Sequence, residues 1–156
     1  VDAEKADYAV TKYREAYAES GIFKFTVYDG IFDLLRELNE SGVKIGIASA
    51  KPQKFLVRIV AHLGIGDTVD YISAPADDKA DPSKVKLING AVNALKIEKS
   101  RVLMVGDRHF DICGANGAEV DSVGVTFGYG SEDELREAGA TFVAHTVAEV
   151  RDFIFR

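Results

Sequence analysis

The chain has 156 residues, 47% of them hydrophobic, which is one domain's worth of sequence with enough apolar side chain for a real core. A formal net charge of −6 and a pI near 5.1, with no basic cluster, argue against a nucleic-acid-binding surface. No apolar run approaches membrane-spanning length, the opening residues lack a signal-peptide pattern, and one cysteine cannot form an internal disulfide, so a soluble, cytoplasmic protein is expected.

Residues 3–19 read as a helix, with Ala6, Val10, Tyr13 and Tyr17 at three- and four-residue steps and Gly21 closing it. Phe23 to Tyr28 is short and extended. Asp29-Gly30 then turns into a helix through Ile31, Leu34, Leu35 and Leu38 that ends at Ser41-Gly42. Val43 to Ala48 predicts a strand, followed by Ser49-Ala50-Lys51-Pro52. The Ser49 hydroxyl and its neighbouring N–H groups lie where strand becomes helix, a natural anion seat, although Ser49 taken alone reads as a plain helix cap. Pro52 suits the first helical turn, and Phe55, Leu56, Ile59, Val60 and Leu63 trace a buried stripe closed by Gly64.

Val69 to Ser73 is a third short strand, and Ala74 to Asp81 is a polar loop. A helix begins at Asp81-Pro82, with Val85, Ile88, Val92 and Leu95 facing inward. Lys84 lies in its first turn, where the dipole disfavours a cation, so it either meets an anion or is a solvated surface lysine.

Val102-Leu103-Met104-Val105 reads as a strand buried on both faces. It stops at Gly106, and Asp107 and Asp111 follow. Open parallel sheets bind ligands at the carboxyl ends of their strands, and two acids four residues apart suit a hard divalent cation such as Mg²⁺. The local alternative makes Asp107 a helix cap and Asp111 a first-turn acid. Cys113, between Ile112 and Gly114-Ala115, reads as a packed core residue, and Gly114 to Ala118 suggests close packing on the sheet. Ser122 to Phe127 is a strand and Gly128-Tyr129-Gly130 a turn. Ser131 with Glu134 and Thr146 with Glu149 are capping boxes opening the last two helices, with the final strand Phe142-Val143-Ala144 between them. Strands alternating with helices predict an α/β fold with a mostly parallel sheet.

Ile47 to Pro52, then Lys84, then Val105-Gly106-Asp107-Arg108-His109-Phe110-Asp111 resemble in order motifs two, three and four of the haloacid-dehalogenase-like phosphatases. Val27-Tyr28-Asp29-Gly30-Ile31, Gly124 to Leu135 and Ala138-Gly139-Ala140 are similar to the phosphoglycolate-phosphatase-like members. The resemblance implies a three-layer Rossmann-like core over 23–156 and the tail of a helical cap over 1–22. It implies an Mg²⁺-dependent phosphomonoesterase acting on a small phosphorylated metabolite. Ser49, Lys84 and Asp107 would be catalytic. Ser49 and the Ala50 N–H would hold the phosphoryl oxygens beside Lys51, and Lys84 would neutralise charge between phosphate and acids. Asp107 would ligate the metal, with Asp111 completing or orienting that shell. Lys79, in Lys79-Ala80-Asp81-Pro82, is a rival for the lysine role; Lys84 is preferred for its distance to Gly106.

One departure stands out. The family opens on a strand ending in Asp-x-Asp-Gly, which supplies the nucleophile and general acid, and Val27-Tyr28-Asp29-Gly30 has valine where the nucleophile belongs. The chain is therefore expected to begin inside the cap, without the strand that in this family lies between those at 43–48 and 102–105. Each inner-strand group left unpaired and buried costs roughly 1–3 kcal/mol, against a total stability of about 5–15 kcal/mol. Either another segment fills the gap, through self-association or a complementing N-terminal piece, or the two strands pair directly. Alone, the chain is expected to be inactive. The alternative function is a non-catalytic phosphate-binding or interaction domain.

Overall fold

The computed structural model describes residues 2–77 and 83–156. Its strands form two parallel half-sheets. In one, β1 (Gly46–Ala48) pairs with β2 (Tyr71–Ser73); in the other, β4 (Asp121–Val125) lies between β3 (Leu103–Gly106) and β5 (Phe142–Ala144). The helices are α1 (Ala3–Glu19), α2 (Ile31–Glu40), α3 (Gln53–Leu63), α4 (Lys84–Leu95), α5 (His109–Ala118), α6 (Glu132–Glu137) and α7 (Val147–Ile154). None among the described residues is long and apolar enough to cross a membrane.

Alternation along the strands sorts side chains into two cores. Leu103, Val123 and Val125 pack with Leu34 and Leu38 of α2 and Val150 of α7. Met104, one residue along, packs instead with Ile88 and Val92 of α4 and Ala115 and Ala118 of α5. Helices thus cover both faces, which is the expected three-layer α/β arrangement.

The direct pairing of the two inner strands does not occur: β1 and β3 are not hydrogen-bonded to each other. Helices bridge the gap instead. Ile45, just before β1, joins the α2 core beside Leu103, and Ala48 joins the α4–α5 core beside Met104. The gap also corrects two expectations. Val105 is not buried on both faces but 41% exposed, because β3 has a ladder partner on one edge only. The first strand begins at Gly46 and not Val43, since the Ile45 N–H donates to the Asp70 carboxylate (2.8 Å) while Lys44 pairs with it (2.7 Å).

Three further local readings change. Cys113 is exposed, because α5 turns Ile112, Gly114, Ala115 and Ala118 inward and leaves position 113 outside. Gly114 and Gly117 serve a close approach of α4 and not of the sheet: a Cβ on Gly114 would sit inside the Lys84 side chain, and one on Gly117 would press on Val85. Pro52 precedes the helix in an extended conformation (ψ 138°), and Gln53 is the first helical residue. The expected helix start at Asp81-Pro82 and the rival Lys79 lie outside the described residues. The aromatic face of α1 meets α3 at its C-terminal end, where Tyr17 packs edge-on against Phe55 at 5.5 Å and Arg58 donates to the Ala18 carbonyl at 2.6 Å.

Candidate active site

The first turn of α4 reaches both the end of β1 and the first turn of α5, which follows β3. Lys84 Nζ donates to the carbonyl of Ala48, the last residue of β1, at 2.9 Å. The same ammonium pairs with Asp111 Oδ1 at 2.8 Å, with both side chains largely buried (16% and 13% exposed). Burying a cation is costly unless it is paired and hydrogen-bonded, and Lys84 has both compensations. Gly114 makes the path of its side chain possible.

Asp111 is fully engaged. Its second oxygen, Oδ2, accepts the N–H groups of Asp107 and Arg108, each at 3.2 Å, and so folds the loop after β3 back onto the first turn of α5. A Cβ on Gly106 would collide with the Asp111 side chain, so this return needs glycine there. Asp107 is held from a different direction. The Tyr129 N–H donates to its Oδ2 at 2.8 Å, and Gly128 and Gly130 leave no room for a Cβ beside its side chain and carbonyl. The Gly-Tyr-Gly turn, read from the sequence as a simple turn, is the support for Asp107.

At the β1 end, Ser49 Oγ accepts the Lys51 N–H at 3.2 Å, and the Ser49 N–H continues the ladder to the Ser73 carbonyl at 3.1 Å. The Ala50 N–H has no partner among the described residues. The Lys51 ammonium is spent elsewhere: it bonds the Tyr17 hydroxyl and lies 4.7 Å from the centre of that ring. The structure thus joins Ala48, Lys84, Asp111 and Asp107 in one chain of contacts next to Ser49 and Ala50, and sends the Lys51 side chain towards α1.

Arg108, His109 and Glu134 were not singled out by their sequence as site residues. Glu134 Oε1 accepts from Arg108 Nε (2.8 Å) and the His109 N–H (2.9 Å), and His109 Nδ1 lies 2.8 Å away. Because the carboxylate only accepts, this contact fixes the imidazole proton on Nδ1. The His109 N–H first, then Arg108 and the His109 ring, lower the Glu134 carboxyl to about 2.

Mg²⁺ takes oxygen ligands, one or two carboxylates plus phosphate oxygens and retained waters. Here Asp107 offers Oδ1, while both Asp111 oxygens are committed. No group of three or more His, Cys, Asp or Glu among the described residues could hold a metal. What the described residues offer a cation is therefore partial: one uncommitted carboxylate oxygen on Asp107, with Asp111 holding the loop that carries it. Two grooves lie nearby, one of 880 Å³ lined by Tyr17, Ala50, Lys51 and Phe55, the other of 540 Å³ lined by His109, Cys113, Ser131 and Glu134. Ser49, Lys84, Asp107 and Asp111 line neither.

Comparison with known proteins places this fold in a family. The model of a haloacid dehalogenase-like hydrolase family matches residues 2–125. The tyrosine-protein kinase PtkA of Mycobacterium tuberculosis is 34% identical over 96% of this chain and 52% of its own length. A 5'-nucleotidase of Pseudomonas aeruginosa is 32% identical over 98% of this chain and 69% of its own. The crystal structure of a predicted phosphatase from Clostridium acetobutylicum superimposes with a TM-score of 0.89 at 35% identity, covering 99% of this chain and 72% of that one. The chain spans about half the length of the kinase it matches. With a matching family model over most of its residues and a matching fold, the chain belongs to the haloacid dehalogenase-like hydrolases.

Proposed function

We propose that this chain is the larger part of an Mg²⁺-dependent phosphomonoester hydrolase whose attacking carboxylate arrives on a strand outside these residues. The observation that carries the reading is Lys84, which ties the end of β1 to the acid loop after β3 across an unfilled gap. Ser49 Oγ and the Ala50 N–H would hold two phosphoryl oxygens, and Lys84 would offset the charge that gathers between phosphate and acids. Mg²⁺ on Asp107 would supply Lewis-acid polarisation of the phosphoryl group. One carboxylate of the inserted strand would attack phosphorus as the P–O bond to the alcohol breaks, the strand's second acid would protonate the departing oxygen, and water would then hydrolyse the aspartyl phosphate to release phosphate. The relatives named kinase and nucleotidase also handle phosphoryl groups, which supports the reaction class; a small phosphorylated metabolite is the proposed substrate.

One feature supports the inserted strand. Val105, on the edge of β3 that has no ladder partner among the described residues, is 41% exposed. A complementing N-terminal segment, or a second copy in self-association, would cover it.

The test is p-nitrophenyl phosphate turnover with Mg²⁺. The chain alone should stay at background, and adding a peptide with an Asp-x-Asp strand should restore turnover that Asp107→Asn abolishes. Metal-dependent turnover by the chain alone would overturn the supplied nucleophile. Phosphate binding with no rescue by any such peptide would favour the non-catalytic phosphate-binding domain.

A further inference from the structure

We propose that Glu134, on α6, is a positioning residue for the acid loop: it holds Arg108 and His109 so that Asp107 and Asp111 keep the arrangement that admits a divalent cation. The proposal rests on the reading above and goes beyond it by assigning a role to a carboxylate 27 positions from Asp107.

Sequence pattern makes Glu134 a reciprocal capping partner of Ser131. Only half of that box forms. The Glu134 N–H donates to Ser131 Oγ at 3.2 Å, but the carboxylate does not return to the Ser131 backbone. It crosses instead to the loop between the two acids, where one oxygen gathers Arg108 Nε, the His109 N–H and His109 Nδ1. The second capping acid, Glu149, is also displaced, by one residue, to the His145 N–H at 2.8 Å, but it reaches no site residue.

Two physical consequences follow. The first is geometric. His109 opens α5, so its N–H is one of the helix's orphan donors, and Asp111 satisfies the two before it. With Glu134 in place every backbone N–H from Asp107 to His109 is held, and the Asp107 side chain is held from the same 128–134 segment by the Tyr129 N–H. The second is electrostatic. Arg108 feels both Asp107 and Asp111, and Glu134 ties its guanidinium to α6. Released, Arg108 would be an internal counter-ion competing with an added cation for the acids.

The test is Mn²⁺ binding to the whole chain, followed by loss of the free-ion electron paramagnetic resonance signal and by displacement with Mg²⁺, in the presence of inorganic phosphate. Thermal unfolding without metal runs in parallel. Glu134→Ala should weaken the cation by roughly 10–100-fold, as expected for an outer-shell partner. Glu134→Gln, which keeps an acceptor oxygen in place, should weaken it less. Removing the freed guanidinium as well, in Arg108→Ala with Glu134→Ala, should recover part of the loss. A purely structural staple would lower the unfolding temperature of Glu134→Gln yet leave its cation affinity, and that of folded Glu134→Ala, within about twofold of the parent; that result overturns the proposal. Failure of the parent chain to bind Mn²⁺ through Asp107, read by an unchanged Asp107→Asn, would instead remove the site reading itself and this proposal with it.

Discussion

β4 and β1 are both parallel strands of small and branched residues, yet their surroundings are opposite. β4 has a ladder partner on each edge and four of its five residues are buried; β1 has one partner and none of its three residues is buried. β3 resembles β1: it shares a ladder with β4 alone, and none of its four residues is buried. Burial here follows what covers each strand and not the apolar character of the run: β5 also has one ladder partner, yet Val143 and Ala144 are buried beneath Leu135 of α6 and Val150 of α7. The half-sheet around β4 is a finished core, while the edges of β1 and β3 are its unfinished counterpart, and the site sits where the two meet.

Equal truncations in the two regions should therefore cost unequal amounts. Leu135→Ala, in the fully buried cluster with Ile112 and Val143, should lose about 2–5 kcal/mol in urea unfolding. Lys84→Met leaves Asp111 without its cation in a largely buried position and should cost about 1–3 kcal/mol. It should also abolish inorganic phosphate binding measured by calorimetry. Val105→Ala, beside the gap, should cost less than about 1 kcal/mol in the chain alone. Its cost should rise once a complementing strand is bound. A Val105→Ala penalty as large as that of Leu135→Ala would erase the contrast.

The smallest effect is in pH. The Glu134 carboxyl is depressed in the folded chain to about 2 from an ordinary 4.5, so its contribution is in force above 4.5 and is lost as pH falls towards 2. Thermal melts should show the parent's advantage over Glu134→Gln shrinking across that window and constant above it. Exposure and screening keep this contribution small.

Much of the architecture is readable from residue order. The helix at 3–19 matches α1 residue for residue, and each expected strand appears, because 3.6- and 2-residue periodicities are local properties. The meeting of Lys84 with the acid loop was also expected, on a motif pattern and not on spacing alone. What escaped depends on distant neighbours. Val105 sits in a run that looks doubly buried, but its exposure depends on a strand that is not at its edge. Cys113 lies among small residues that do not say which side of α5 faces in. Glu134 follows Ser131 in a perfect local capping pattern, and only the fold brings Arg108 and His109 to compete for its carboxylate.

If the chain works as proposed, the ends of β1 and β3 serve one phosphate. Titrating inorganic phosphate with Mg²⁺ into the ¹⁵N-labelled chain reads both ends at once. The amides of Ser49 and Ala50 should shift together with those of Asp107 and Asp111 along a single saturable curve that Lys84→Met removes. Shifts confined to one end, or two curves with different midpoints, would contradict it.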